Sequence, residues 1–174
     1  MTAVTALLRL PVGVVVERRK ATSPWVDAVW RPVAVLGGLG GLPSVAPWTP
    51  LASSDEVTTF YAGVAEIELY RSEVDNYRRN IESDAPSLWV SLQASAGEPP
   101  YAIAAVTADP NEGEGLTEPA QAVVEAVAMP ESLREAIAAF VAAHPSEHRF
   151  EKRERDRADP EALARRQPRS GSTP

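Results

Sequence analysis

Apolar and polar positions alternate with a period of two along much of this chain, which predicts strands before helices. Leu8 to Arg19 carries Val12, Val14 and Val16 on one face and Gly13 and Val15 on the other, with Pro11 near its start. Glu17-Arg18-Arg19-Lys20 closes that strand with charge; it reads as a solvated strand end, with a basic patch for an acidic partner as the alternative. Trp30 to Leu36 reads as a second strand and Trp48 to Ser53 as a short third one. Trp25 and Trp30 lie five apart, which suits neither a strand face nor a helix face, so a break is expected between them. Val57 to Arg71 gives the strongest strand pattern, with a bulge or a tight hairpin expected at Ala62-Gly63. Ser87 to Ala94 and Tyr101 to Ala108 follow as an antiparallel pair across Gly97-Glu98-Pro99-Pro100. Ala120 to Met129 has the alanine content of a helix, but its length between prolines favours a last strand.

Two segments change to the helical period. Over 72–83, Ser72 is a plausible N-cap, and Val74, Tyr77, Arg78 and Ile81 fall on one face. Over 131–143, Pro130 is placed for a first turn, and Leu133, Ile137, Phe140, Val141 and His144 share a face. The pattern therefore predicts an α+β fold. A bent antiparallel sheet or partly open barrel of six or seven strands would pack against two helices, followed by a charged C-terminal tail. The expected division is one domain over 1–145 and a largely disordered or extended tail over 146–174.

Charge sharpens this division. The chain of 174 residues carries a net charge of -7. Residues 144–174 hold 8 Lys and Arg against 6 Asp and Glu, leaving 9 against 18 for the rest. An acidic folded part is a poor match for duplex nucleic acid. The tail alternates charge with few apolar residues and cannot bury a core. Sixteen prolines favour short elements and loops. No apolar run approaches 18 residues, so no membrane span is expected. The mildly apolar Thr2–Leu8 has no basic residues before it and reads as a strand lead-in rather than a signal peptide. The absence of cysteine removes disulfides, thiol nucleophiles and thiolate metal sites, and it fits a reducing, cytoplasmic setting.

Candidate chemistry is sparse. Gly37-Gly38-Leu39-Gly40-Gly41 lacks both the third glycine and the following helix of a dinucleotide loop, and reads as a loop. Glu66 and Glu68 share a strand face, and are read as solvated rather than as a catalytic carboxylate pair. Asp109 to Gly115 is read as an acidic loop whose spacing fails for calcium. His144, Glu147 and His148 approach a metal spacing that Pro145 breaks, so no metal and no cofactor is expected. Trp25, Trp30, Trp48 and Trp89 are core anchors or, alternatively, the walls of a small-molecule pocket with Arg31 at its mouth. The reading preferred for Arg31 is that it satisfies a backbone or acidic partner within the fold. Lys152, Arg153, Arg155 and Arg157 in the tail are candidate contacts for a partner.

A series of ordered motifs adds a resemblance. They are Leu10-Pro11-Val12-Gly13-Val14-Val15-Val16-Glu17-Arg18-Arg19, Ser23-Pro24-Trp25, Trp30-Arg31-Pro32-Val33-Ala34-Val35-Leu36, Glu68-Leu69-Tyr70-Arg71, Val106-Thr107-Ala108-Asp109-Pro110, Met129-Pro130, Phe150-Glu151-Lys152-Arg153, and the run from Arg155 to Arg166. Over roughly residues 8–166 the chain resembles the proteobacterial family called domain of unknown function 3305. The glycine-rich segment 37–41 lies outside the likeness. His144-Pro145 stands where the resemblance expects a His-His pair, and Glu151 where it expects an aromatic. The resemblance implies genes beside those of molybdenum-dependent formate dehydrogenases and their maturation chaperones. It therefore implies a non-catalytic accessory or assembly protein that binds a protein partner, the dehydrogenase or a neighbouring accessory protein. A binder of a pterin-like cofactor is the alternative. No catalytic residues carry over.

Overall fold

In the computed structural model, residues 5–38, 41–118 and 121–146 are described. The strand patterns form β1 (Leu8–Lys20), β2 (Ala28–Leu36), β3 (Thr49–Ser53), β4 (Val57–Leu69), β5 (Ser87–Ala94), β6 (Tyr101–Thr107) and β7 (Val123–Ala128). The helices are α1 (Val74–Ile81), α2 (Pro110–Gly115) and α3 (Glu131–Ala143), with a 3-10 turn at Arg71–Glu73. The fold is α+β, as the periodicities predict, with seven strands among the described residues. They form two antiparallel sheets, ordered β2-β1-β4-β3 and β6-β5-β7, where one bent sheet or a partly open barrel was expected, and they do not close into a barrel. The two sheets nevertheless approach each other: β2 lies beside β7 and β4 beside β6. The expected tail over 146–174, apart from Ser146, and with it Lys152, Arg153, Arg155 and Arg157, lies outside the described residues.

Strand parity builds the core. Val12, Val14 and Val16 of β1 meet Ile67 and Leu69 of β4 and Leu88, Val90 and Leu92 of β5, all at most 0 % exposed. Complete burial of such side chains contributes about 1.5–3 kcal/mol each. The 13-residue β1 and β4 follow one register until β4 gains an extra residue opposite Val14/Val15. That bulge falls at Ala62-Gly63, where Gly63 adopts φ 131°, a conformation that side chains resist.

The helices close one end of this core. Tyr77, Val74 and Ile81 of α1 and Leu133, Ile137, Phe140 and Val141 of α3 are buried there. Ser72 is not the cap of α1. The Glu73 N–H bonds to the Tyr70 carbonyl, tightening the first turn, and Glu73 occupies the cap position. Nor does Arg78 join the buried face. It pairs with Asp75 at 2.6 Å, while Asn80 enters the core in its place. Asn80 accepts from the Ser87 N–H (3.0 Å) and donates to the Ser87 and Ala108 carbonyls (2.8 Å each), fastening α1 to β5 and the end of β6.

The expected acidic loop is instead the short helix α2. Asp109 accepts from the Asn111 N–H at 2.8 Å, Pro110 fills the first position, and Glu112 accepts from the Thr107 hydroxyl at 2.6 Å. Asp109 also accepts from the Asn76 side chain, linking α2 to α1. The Val106-to-Pro110 motif is thus explained by capping and packing.

Candidate functional site

The end of the sheets away from the helices is where the valine and leucine core gives way to aromatic rings. On β1 the inward series Val12, Val14, Val16 continues to Arg18. Its cross-strand neighbour on β2 is Trp30. The inward residue of β4 beside Val16 is Phe60, and Tyr101 begins β6 opposite Ala94. Trp30 therefore stacks on Phe60, with centroids 5.6 Å apart and planes at 28°. It meets Trp48 edge-on at 5.9 Å and Tyr101 at 6.1 Å. The Arg18 guanidinium carbon lies 5.8 Å from the Trp30 ring centroid. Such aromatic pairs contribute about 0.5–1.5 kcal/mol beyond their buried area, and the exposed cation–π contact about 0.5–1 kcal/mol.

Trp48 reaches the cluster at a backbone cost. Its φ is 65°, a left-handed conformation for a bulky residue, worth about 1–2 kcal/mol. Its N–H donates to the Tyr61 carbonyl at 2.5 Å, holding the segment before β3 against β4.

Beside Trp30 and Tyr101 opens a cleft of about 450 Å³, walled also by Arg18, Asp27, Ala28, Ala94, Ser95, Glu98 and Pro100. A second recess of about 360 Å³ adjoins it through Arg18 and Asp27, and is bordered by Lys20, Asp55 and Glu56. Three turns meet here: 21–27 between β1 and β2, 54–56 between β3 and β4, and 95–100 between β5 and β6. On the first of them Trp25 is 90 % exposed, with Val26 and Val29 about half exposed beside it in sequence.

The four tryptophans thus do not share one site. Trp30 and Trp48 come together, Trp25 stands in solvent on the β1–β2 turn, and Trp89 belongs to the outer face of β5. The Trp89 ring covers Gly113 of α2 so closely that a Cβ there would lie 2.3 Å from Cγ. Arg31 follows Trp30 in the strand and so points to the opposite face, with Glu17 as its cross-strand neighbour. The cation at the cleft is Arg18 instead. Parity counted from Val12 would have found it. Phe60, Tyr101, Asp27 and Glu98 depend on strand register and turn geometry, which period-two patterns leave open.

A polar groove of about 220 Å³ lies elsewhere, bordered by Glu66, Glu68, Tyr70 and Glu112. Arg9 bridges both glutamates, at 2.9 Å to Glu68 and 3.9 Å to Glu66. The Tyr70 hydroxyl donates to Glu68 at 2.5 Å, and this bond holds the phenol above its ordinary pKa. The two carboxylates are joined through arginine on an open face, not set against one another in a closed site. Deeper in, burial pushes the Tyr77 phenol up to about 12, although its oxygen accepts from the Tyr70 N–H at 3.1 Å. Among the described residues no three His, Asp or Glu side chains gather to hold a metal ion, and no helix is long and apolar enough to cross a membrane. His144 has its ring nitrogen 2.9 Å from the Phe140 carbonyl and rests on the Phe140 ring. Glu147 and His148 lie outside the described residues.

Comparison with known proteins gives no match among curated proteins and none among solved structures. Residues 11–154 do match one family, and this span takes in both sheets apart from the first three residues of β1, together with α1, α2, α3 and the cleft. The chain therefore belongs to the family described as protein of unknown function (DUF3305).

Proposed function

We propose that this chain is a non-catalytic, cytoplasmic accessory protein that binds a partner protein through the open end of its two sheets. The observation that carries the reading is Trp25, 90 % exposed on a turn beside Val26 and Val29. A tryptophan left in water forgoes a large burial gain, and exposed tryptophans are characteristic anchors of protein interfaces. The aromatic cleft next to it supplies a rigid seat. The resemblance stated from the motifs supplies the partner: a proteobacterial molybdenum-dependent formate dehydrogenase, or an accessory protein encoded beside it, during assembly of that enzyme.

The test is affinity purification of the tagged chain from its native host, grown to induce formate dehydrogenase, with Trp25→Ala in parallel. Recovery of the dehydrogenase or its accessory protein with wild type, and its loss with the variant, is the expected result. Equal recovery with both, or recovery with neither, overturns the proposal.

A second reading is supported by the cleft itself. Its volume of about 450 Å³ is within the range of small-molecule sites, and Trp30 and Tyr101 offer stacking faces for a planar, pterin-like cofactor. Native mass spectrometry of the purified chain distinguishes it: a bound small molecule without protein partners supports this reading over the first.

A further inference from the structure

The charges around the cleft describe the partner's chemistry. Elsewhere four arginines have a carboxylate partner: Arg9 with Glu68, Arg19 with Glu17, Arg78 with Asp75 and Arg134 with Glu131. Around the cleft and its adjoining recess, four carboxylates, Asp27, Asp55, Glu56 and Glu98, face two cations, Arg18 and Lys20. None of these six side chains forms an ion pair among the described residues. Arg18 is directed to the Trp30 ring instead. The four carboxylates come from three turns that are separate in sequence and meet only at this end of the fold.

The floor of the cleft is as informative as its rim. Arg18 already places a guanidinium against one of its rings, so this surface accommodates a planar cation stacked on an indole. Tyr101 presents another ring to the same cleft, which Asp27 and Glu98 also line. A flat, delocalised cation satisfies both features: its face lies on the ring and its N–H groups reach the carboxylates.

We infer that the cleft receives an arginine-bearing, extended segment of the partner protein, its guanidinium seated on Tyr101 between Asp27 and Glu98. This inference rests on the partner-binding reading and gives that partner a chemistry. Trp25, on the same turn as Asp27, takes apolar residues flanking the arginine.

The test uses the full chain and an acetylated, amidated alanine peptide carrying two arginines. Matched peptides carry lysines or glutamates. Binding is followed by tryptophan emission and calorimetry. The arginine peptide is expected to bind saturably and more tightly than the lysine peptide. It should weaken steeply between roughly 0.02 M and roughly 0.5 M salt, because exposed charges are screened. Asp27→Asn with Glu98→Gln should reduce affinity about tenfold or more, as loss of both charge-assisted contacts requires. Asp84→Asn, on the exposed segment after α1, should leave it unchanged. Urea unfolding of each variant confirms that the fold is retained. Preference for the glutamate peptide, undiminished binding to the double variant, or no binding of the arginine peptide overturns the inference. Native-partner recovery separates the two proposals. A partner lost with Trp25→Ala but retained by the double variant removes the arginine seat and leaves the partner-binding reading standing.

Discussion

Asn80→Ala should cost far more than its place on a short helix suggests. The side chain is 4 % exposed and makes three hydrogen bonds, one accepted and two donated, all to backbone groups. Each such bond has a net value of about 1 kcal/mol, and truncation also strands the Ser87 N–H and two carbonyls where water has little access. The expected loss is about 3–4 kcal/mol, a large part of the roughly 5–15 kcal/mol that holds a typical domain together. In thermal unfolding this corresponds to a fall of roughly 6–16 °C. Urea unfolding followed by circular dichroism measures it directly. Asn80→Asp separates hydrogen bonding from shape. The new carboxylate can still accept from Ser87, but its second oxygen faces two carbonyl oxygens at 2.8 Å. Protonation restores a donor, so the Asp variant should be least stable near neutral pH and recover part of its deficit in acid. An Ala variant within about 0.5 kcal/mol of wild type, or an Asp variant equal to wild type at neutral pH, would refute the reasoning.

Two further expectations concern the interior. Gly113→Ala should destabilise by about 1–3 kcal/mol by forcing the Trp89 ring off α2, against the gain of up to about 1 kcal/mol that Gly→Ala gives in an open helix; urea midpoints and near-ultraviolet dichroism report it. The Tyr77 phenol, at about 12 in the fold against 10.0 unfolded, stays neutral when folded while the unfolded chain ionises. Its contribution is full below pH 10 and is lost as pH rises from there through 12, on the order of 2 kcal/mol in all. Tyr77→Phe should therefore lose less stability than wild type between pH 9 and pH 11 in parallel urea titrations, and equal losses would contradict this.

Much of the fold was legible because parity is a local property. Val12, Val14 and Val16 mark a strand and one of its faces, and Ala62-Gly63 marks a bulge or a hairpin, of which the structure forms the bulge. The separation into two sheets was not legible, since pairing joins residues far apart and many registers satisfy the same alternation. Asn80 is not legible in the sequence, because a polar residue on a helix looks solvated until its backbone partners, Ser87 and Ala108, are known. The Asp109-Pro110-Asn111-Glu112 sequence did contain a capping signal: acid at the cap, proline next, glutamate third. Its glycines and charge suggested a loop instead.

The candidate site divides in the same way. That Trp30 belongs in an aromatic cluster follows from its strand. That Arg18, and not Arg31, faces it follows from counting in twos along β1 and β2. The convergence of Asp27 with Glu98 needed the turns of both sheets to be placed, and the separate positions of Trp25 and Trp89 needed the same.

The most direct test of a partner-binding open end is photocrosslinking in the native host, with a benzophenone amino acid replacing Trp25 and, as control, Asp84. Crosslinks to the formate dehydrogenase or its neighbouring accessory protein from position 25, and none from position 84, are the expected result. No crosslink from position 25, or the same products from both positions, would contradict the assignment.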